Sequence, residues 1–246
     1  MKIERELAWP CHDCKVRGSS FCNTLIDGAS PRPRTEQDHI AQFFLNVEKD
    51  EVIRHDSSKI PSGPFVLCQG WAYSYYQLPD GRRQILSVVI PGDPLSAFAL
   101  LGTHPGHSFR AATDARLCQF TRDDIWKEIV AAPSAYDTLG QFCSAEMDHA
   151  IAASINLARR NPVARLAGFL HRVVSRLLSR KIMTDTGVYP FPLTHTVIAD
   201  ATGLSTRDVD DAVVALRNDG VLDLSNRKLT VLNRAAFERN AVGPVL

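Results

Sequence analysis

LTHTVIADATGLSTRDVDDAVVALR, residues 193–217, is the stretch whose reading decides the fold. Thr194 stands where an N-cap belongs, and an apolar first helix runs from it to about Ala201. Gly203 then falls where a tight turn needs positive φ, and Ser205 or Thr206 caps a second helix from Arg207 onward. Ile198, Ala199, Leu204, Val209, Val213 and Leu216 provide the apolar positions that lock the two helices together. This is a helix-turn-helix pattern.

Downstream, Asn218-Asp219-Gly220 makes a turn, and Val221–Leu224 and Leu229–Leu232 read as two strands of a wing with Asn226-Arg227-Lys228 at its basic tip. Ser205, Thr206, Arg207, Asp210 and Asp211 on the second helix, with Arg227 and Lys228 on the wing, are the candidate DNA-contacting residues; Arg217 is a further cation. Asp208, Asp210 and Asp211 pull the other way. They suit a helix N-terminus, yet on a DNA-facing helix they repel phosphate, unless one accepts from a cytosine amino group.

Upstream, Asn161-Pro162 opens a helix, VARLAGFLHRVVSRLLSRK, whose basic end suits the macrodipole. The longest periodic stretch is 134–159. Gly140, Cys143, Met147, Ala150, Ser154 and Leu157 recur at three- and four-residue spacing as a narrow seam of mostly small side chains that suits a partner helix. Phe142, Ile151, Ile155 and Ala158 form a second stripe, expected to face the chain's own β-domain.

Residues 50–122 have another texture. Phe65–Cys68, Trp71–Gln77, Ile85–Ile90, Ser108–Ala112 and Arg116–Phe120 are short β-prone segments broken by turns such as Pro79-Asp80-Gly81, which argues for an antiparallel β-roll. Thr121 caps a helix starting at Arg122, and Thr35, Glu36, Ile40, Phe43, Phe44 and Val47 read as a short helix before the roll. The fold class is therefore α+β. The boundaries are a cysteine-rich arm at 1–35, the β-roll at 36–133, a dimerisation helix at 134–160 and a winged helix-turn-helix at 161–246.

The arm carries Cys11, Cys14 and Cys22 in CHDCKVRGSSFC, a spacing that suits one metal or iron–sulfur site lacking its fourth ligand. Pro31 and Pro33 make the end of the arm a loop. The 246 residues are 45% hydrophobic and 22% charged with a net charge of +1, so no global field announces a nucleic-acid or membrane partner and any basic patch is local. MKIERELAWP is no secretory signal, and no apolar run approaches a membrane span, which places the chain in the cytoplasm. Six cysteines in that compartment point to metal, redox chemistry or burial instead of disulfides. No Ser/His/Asp set, paired-carboxylate motif or phosphate loop is apparent, so an enzyme is not expected; a thiol or electron-transfer enzyme would leave the helix-turn-helix unexplained.

DGRRQILSVVIPGDPL in the roll, ARRNPVARLAGFL after the seam helix, and LTHTVIADATGLSTRDV with GVLDL together resemble the Crp/Fnr family of bacterial transcription regulators over almost the whole chain. The resemblance implies a cyclic-nucleotide-binding-like jelly roll, a homodimer, a double-stranded DNA operator and RNA polymerase as a further partner. The cysteine segment resembles the oxygen-sensing Fnr branch, including the FixK and FnrN type, in which three N-terminal cysteines and one near the end of the roll hold a [4Fe–4S] cluster. Cys118 stands at the matching place, making Cys11, Cys14, Cys22 and Cys118 the implied ligands. Four cysteines alone also suit zinc. Cys68 and Cys143 compete for the fourth ligand place but read as core or interface, with Cys143 in the seam, and His12 as a bystander.

Three departures stand out. Ala150 occupies the seam place where oxygen-labile relatives carry an acidic residue whose self-repulsion keeps the cluster-free form monomeric. Arg207 and Asp211 replace the family's Glu and, four residues on, Arg that read bases. Pro105-Gly106 replaces the Arg-Ser pair with which the catabolite-activator branch holds cyclic AMP, which argues against a nucleotide effector. The alternative to the cluster-bearing sensor is a related regulator that senses another ligand or redox signal, its cysteines empty or zinc-bound.

Overall fold

The structure is a computed structural model describing residues 2–4, 42–53, 63–95, 106–131, 134–183 and 185–242. Cys11, Cys14 and Cys22 lie outside the described residues. The chain divides into two compact units, residues 1–76 with 88–147, and residues 77–87 with 148–246.

The strands form an antiparallel roll, as the alternating segments predict. One sheet has the order β1 (Lys2–Glu4), β2 (Gln42–Val47), β8 (Ala115–Phe120), β4 (Phe65–Gln69). The other has the order β3 (Val52–Ile53), β7 (Ser108–Ala111), β5 (Ala72–Gln77), β6 (Arg83–Val89). Alternation along each strand sends Leu45, Val47, Phe65, Leu67, Ala115 and Leu117 into the shared core, where they meet Phe109, Ala111 and Val89. Helix α1 (Arg122–Ala131) follows the roll.

The helix expected before the roll is corrected. Its described part, Gln42–Val47, is strand β2, paired with β8 from Gln42↔Phe120 to Val47↔Ala115. Phe43, Phe44 and Val47 satisfy a helical spacing, but the neighbouring Leu45 and Val47 also satisfy a period of two, and burial of that alternating set decides between them. The strands β1 and β3 were likewise not expected from sequence.

Helix α2 spans Ser134–Arg159, and α3 spans Pro162–Ser179 with Asn161 as N-cap, its side chain accepting from the Ala164 N–H at 2.9 Å. The two helices meet at Gly168, where a Cβ would lie 2.7 Å from Asn156 Oδ1 and 2.6 Å from Arg160 Nη1. That close approach buries Asn156, whose Nδ2 donates to the Arg165 carbonyl at 3.0 Å. Helices α4 (His195–Thr202) and α5 (Thr206–Asn218) follow, then β10 (Leu222–Ser225), β11 (Lys228–Val231) and α6 (Arg234–Val242). The stretch before α4, expected as a plain loop, contributes β9 (Val188–Pro190), which pairs with β11 to make the wing three-stranded in the order β10-β11-β9.

Candidate nucleic-acid interface and metal centre

Thr194 Oγ1 accepts from the Val197 N–H at 3.3 Å and starts α4; Gly203, at φ 63°, ends it. Ser205 starts α5 through a reciprocal capping box: its hydroxyl accepts from the Asp208 N–H at 3.1 Å, while the Asp208 carboxylate accepts from the Ser205 N–H at 3.1 Å. Val209, Ala212, Val213 and Leu216 turn inward, leaving Thr206, Arg207, Asp210, Asp211 and Val214 on the exposed face.

The three acids of this helix are each engaged. Asp208 belongs to the capping box, and the Ser205 hydroxyl bond holds its carboxyl below the usual carboxylate range. Asp210 Oδ1 lies 2.5 Å from Nδ1 of His195 on α4. Asp211 is 3.9 Å from the Arg207 guanidinium one turn back. Their charge is thus partly balanced inside the motif. Ser205 itself has its hydroxyl committed to the cap, whereas Thr206 and Arg207 stand free of that box.

The wing turn is a two-residue hairpin with Asn226 at φ 51° and Arg227 at φ 58° between the paired Ser225 and Lys228. Left-handed conformations at both central positions match the strand twist, and they leave Arg227 and Lys228 exposed at the tip. Arg217 is differently employed: its Nε donates to Asp223 Oδ1 at 2.5 Å. The Ser225 hydroxyl and then Arg217 hold Asp223 below the usual carboxylate range.

On α2, Gly140, Cys143, Met147, Ala150, Ser154 and Ala158 are exposed, as are Ile151 and Ile155. Met147 is 64% exposed and Ile151 and Ile155 are each 51% exposed, so the second stripe supplies its isoleucines to the open face. Leu157 differs from expectation: it is half-buried, and its Cδ2 sits 2.9 Å from where a Cβ on Gly203 would be. Leu157 therefore packs on the turn of the helix-turn-helix.

Cys118 is fully buried on β8. Because Leu117 faces the core, Cys118 faces the other side of its sheet, between Phe44 of β2 and Val66 of β4 in the register. Arg116 shares that side, its guanidinium 4.9 Å from the Phe44 ring centre. Between Leu67 and Gln69 the β4–β8 register shifts, and the extra residue is Cys68. The bulge brings Cys68 back beside Cys118, and the neighbouring Cys118 side chain, with the Arg116 charge, holds the Cys68 thiol below its usual value. Sequence reasoning read Cys68 as core or interface and missed its place beside Cys118, since a bulge leaves no sequence signal distinct from the strand FVLCQG.

Among the described residues no three or more metal-ligating side chains come together, because only one of the four expected cysteine ligands, Cys118, lies in that set. The donor chemistry nevertheless fits thiolate ligation of iron at this end: Cys118 carries its thiol on the side opposite the core, the side it shares with the Arg116 guanidinium. No described helix is long and apolar enough to cross a membrane.

Residues 44–131 match the cyclic nucleotide-binding domain model and residues 164–239 the Crp-like helix-turn-helix domain model, together about two thirds of the chain. The nitrogen fixation regulation protein FixK of Bradyrhizobium diazoefficiens is 28% identical over 93% of this chain and 92% of its own length. The transcriptional activatory protein AadR of Rhodopseudomonas palustris is 27% identical over 92% and 90%, and the transcriptional activator protein FnrL of Cereibacter sphaeroides 23% over 90% and 87%. The solved structure of FixK2 from Bradyrhizobium japonicum superposes with a TM-score of 0.66 at 25% identity, covering 79% of this chain and 94% of that one.

Proposed function

Because the chain belongs to the Crp/Fnr family of DNA-binding transcription regulators, we propose that it acts as a homodimer on a double-stranded operator and answers to oxygen or redox state through a [4Fe–4S] cluster on Cys11, Cys14, Cys22 and Cys118. The observation that carries this reading is the place of the Cys118 thiol, on the side of its sheet opposite the core, with Arg116 on the same side. The arm supplies three thiolates in a dozen residues and Cys118 the fourth. Bound there, the cluster supplies an oxygen-sensitive tie between arm and sheet. Arg116 offsets part of the negative charge that thiolates gather. No charged side chain in Pro105-Gly106 offers to hold a cyclic phosphate, which supports a signal other than a nucleotide.

At the DNA, Thr206, Arg207 and Asp211 face base edges while Arg227 and Lys228 take phosphate. Ser205 sets the angle of α5 through its cap, and Asp210 is shielded by His195. The exposed face of α2, Cys143, Met147, Ala150, Ser154 with Ile151 and Ile155, is the dimer contact. RNA polymerase is the further partner, as the activator names of two relatives support, and the cytoplasm is the compartment.

The test is anaerobic reconstitution with iron and sulfide, read by visible spectrum and iron content before and after air. A brown protein with about four iron atoms per chain is expected, and Cys118→Ala should lower the iron bound. Full iron in that variant overturns the ligand assignment. A colourless protein holding zinc or no metal favours instead a family member sensing another signal through the roll.

A further inference from the structure

Cys68 and Cys118 are neighbours on adjacent strands: Cys118 is paired with Val66, and the bulge at Leu67–Gln69 sets Cys68 alongside that pair. Cys68 Sγ donates to the Val66 carbonyl at 3.7 Å, which turns the thiol back along its strand towards the residue paired with Cys118. Cys68 is half-buried and Cys118 fully buried. We propose that these two thiols form a reversible intramolecular disulfide under peroxide, with Cys68 as the residue attacked and Cys118 as the one that resolves it.

The chemistry balances with hydrogen peroxide as the two-electron oxidant. Cys68 sulfur attacks one peroxide oxygen; the S–O bond forms, the O–O bond breaks, and the leaving hydroxide takes the thiol proton as water. Cys118 sulfur then attacks the Cys68 sulfenic sulfur. The S–S bond forms, the S–O bond breaks, and the departing hydroxide leaves with the Cys118 proton as a second water. Exposure orders the steps, because peroxide reaches Cys68 while Cys118 stays covered until the sulfenic acid forms beside it.

Bond formation needs only the two thiols. Its consequence rests on the cluster reading: a sulfur in a disulfide is no longer a thiolate, so Cys118 cannot ligate metal until a reductant restores it. The pair would then sense peroxide on the metal-free protein and hold it metal-free.

Trypsin separates the two residues cleanly, since Cys68 lies in peptide 60–82 and Cys118 in peptide 117–122. The full-length protein, stripped with a chelator, is treated with peroxide, alkylated and mapped by mass spectrometry. The expected product is peptide 60–82 joined to 117–122, lighter than their sum by two hydrogen atoms and lost on adding dithiothreitol. The bond should also form in a Cys11→Ser, Cys14→Ser, Cys22→Ser triple variant, which removes competition from the arm. In Cys68→Ser, with an unchanged circular dichroism spectrum, Cys118 should be recovered alkylated. Recovery of alkylated Cys118 from the peroxide-treated natural sequence, or of Cys118 joined to an arm cysteine, overturns the proposal. Iron uptake separates this from the cluster reading: it should fail after peroxide until dithiothreitol is added, and Cys68→Ser should resist that loss. A cross-link that forms without affecting iron uptake upholds the disulfide and removes Cys118 from the ligand set.

Discussion

Asp210 on α5 and His195 on α4 meet across the turn with Oδ1 2.5 Å from Nδ1, so the acid at the middle of the exposed helix face is held by the helix before it. That contact changes how three aspartates on a DNA-facing helix are understood. One closes the cap, one is held by His195, and one faces Arg207 at 3.9 Å.

His195→Ala should therefore release the Asp210 carboxylate towards phosphate. Operator affinity is expected to fall roughly five- to tenfold, about 1 kcal/mol of repulsion at short range in water, and Asp210→Asn in the same chain should restore it. Fluorescence anisotropy with labelled operator measures both. Equal affinity for His195→Ala and the natural sequence would show that Asp210 does not face the DNA.

Arg207 and Lys228 should separate by the kind of loss they cause. Arg207→Ala is expected to relax preference at one base position by about 1–3 kcal/mol, whereas Lys228→Ala should weaken all sequences alike and lower the salt slope by about one. Operator selection followed by binding at several salt concentrations reads both quantities. The Arg207/Asp211 arrangement also predicts an enriched sequence different from that of relatives with Glu and Arg at those places. Recovery of their sequence would remove these two residues from base reading.

The capping box gives a pH signature. Its hydrogen bonds depress the folded-state pKa of Asp208, so its contribution is fully present above the unfolded-state value and is lost as pH falls through the lower, folded one. Ser205→Ala should cost about 1 kcal/mol at neutral pH as a lost N-cap, and the gap to the natural sequence should narrow in acid below the usual carboxylate range. Thermal melts at neutral and acidic pH check the sign.

Gly203 joins two constraints, a φ of 63° and the Leu157 Cδ2 atom 2.9 Å from its missing Cβ. Gly203→Ala should destabilise by at least about 1 kcal/mol. Adding Leu157→Ala should relieve the contact but leave the backbone cost, so the two substitutions should be non-additive in a double-mutant cycle.

The winged helix-turn-helix was largely legible because its signals are local. Thr194, Gly203 and Ser205 each act within three or four residues of themselves, and caps and turns are written in such neighbours. What escaped was long-range. His195 gives no hint of Asp210, since that pairing exists only once the turn has closed, and β9 becomes a strand only because β11 is there to pair with it. Phe43 and Val47 fit a helical spacing with Phe44 and a strand spacing with Leu45, and the sheet chose the one a helical reading missed. Cys118 was found through resemblance; Cys68 needed the bulge that sets it alongside.

The open face of α2 carries the remaining prediction. Met147, Ile151 and Ile155 are each at least half exposed on it, beside the exposed Ala150 and Ser154. Ile151→Asp places a carboxylate in the middle of that face, and in a symmetric helix pair it would lie near its own copy. Sedimentation should show the dimer dissociation constant rising at least about a hundredfold, roughly 3 kcal/mol, with an unchanged circular dichroism spectrum. Operator binding should fall with it, because one winged helix reads only one half-site. Ala150 bears on the same equilibrium from the opposite side: it adds no charge where oxygen-labile relatives carry an acid. The natural sequence should therefore stay dimeric after air, while Ala150→Asp should become monomeric in air and recover the dimer on anaerobic reconstitution. A natural sequence that is strictly monomeric in air would mean that the cluster tie between arm and sheet, and not this face, holds the two copies together.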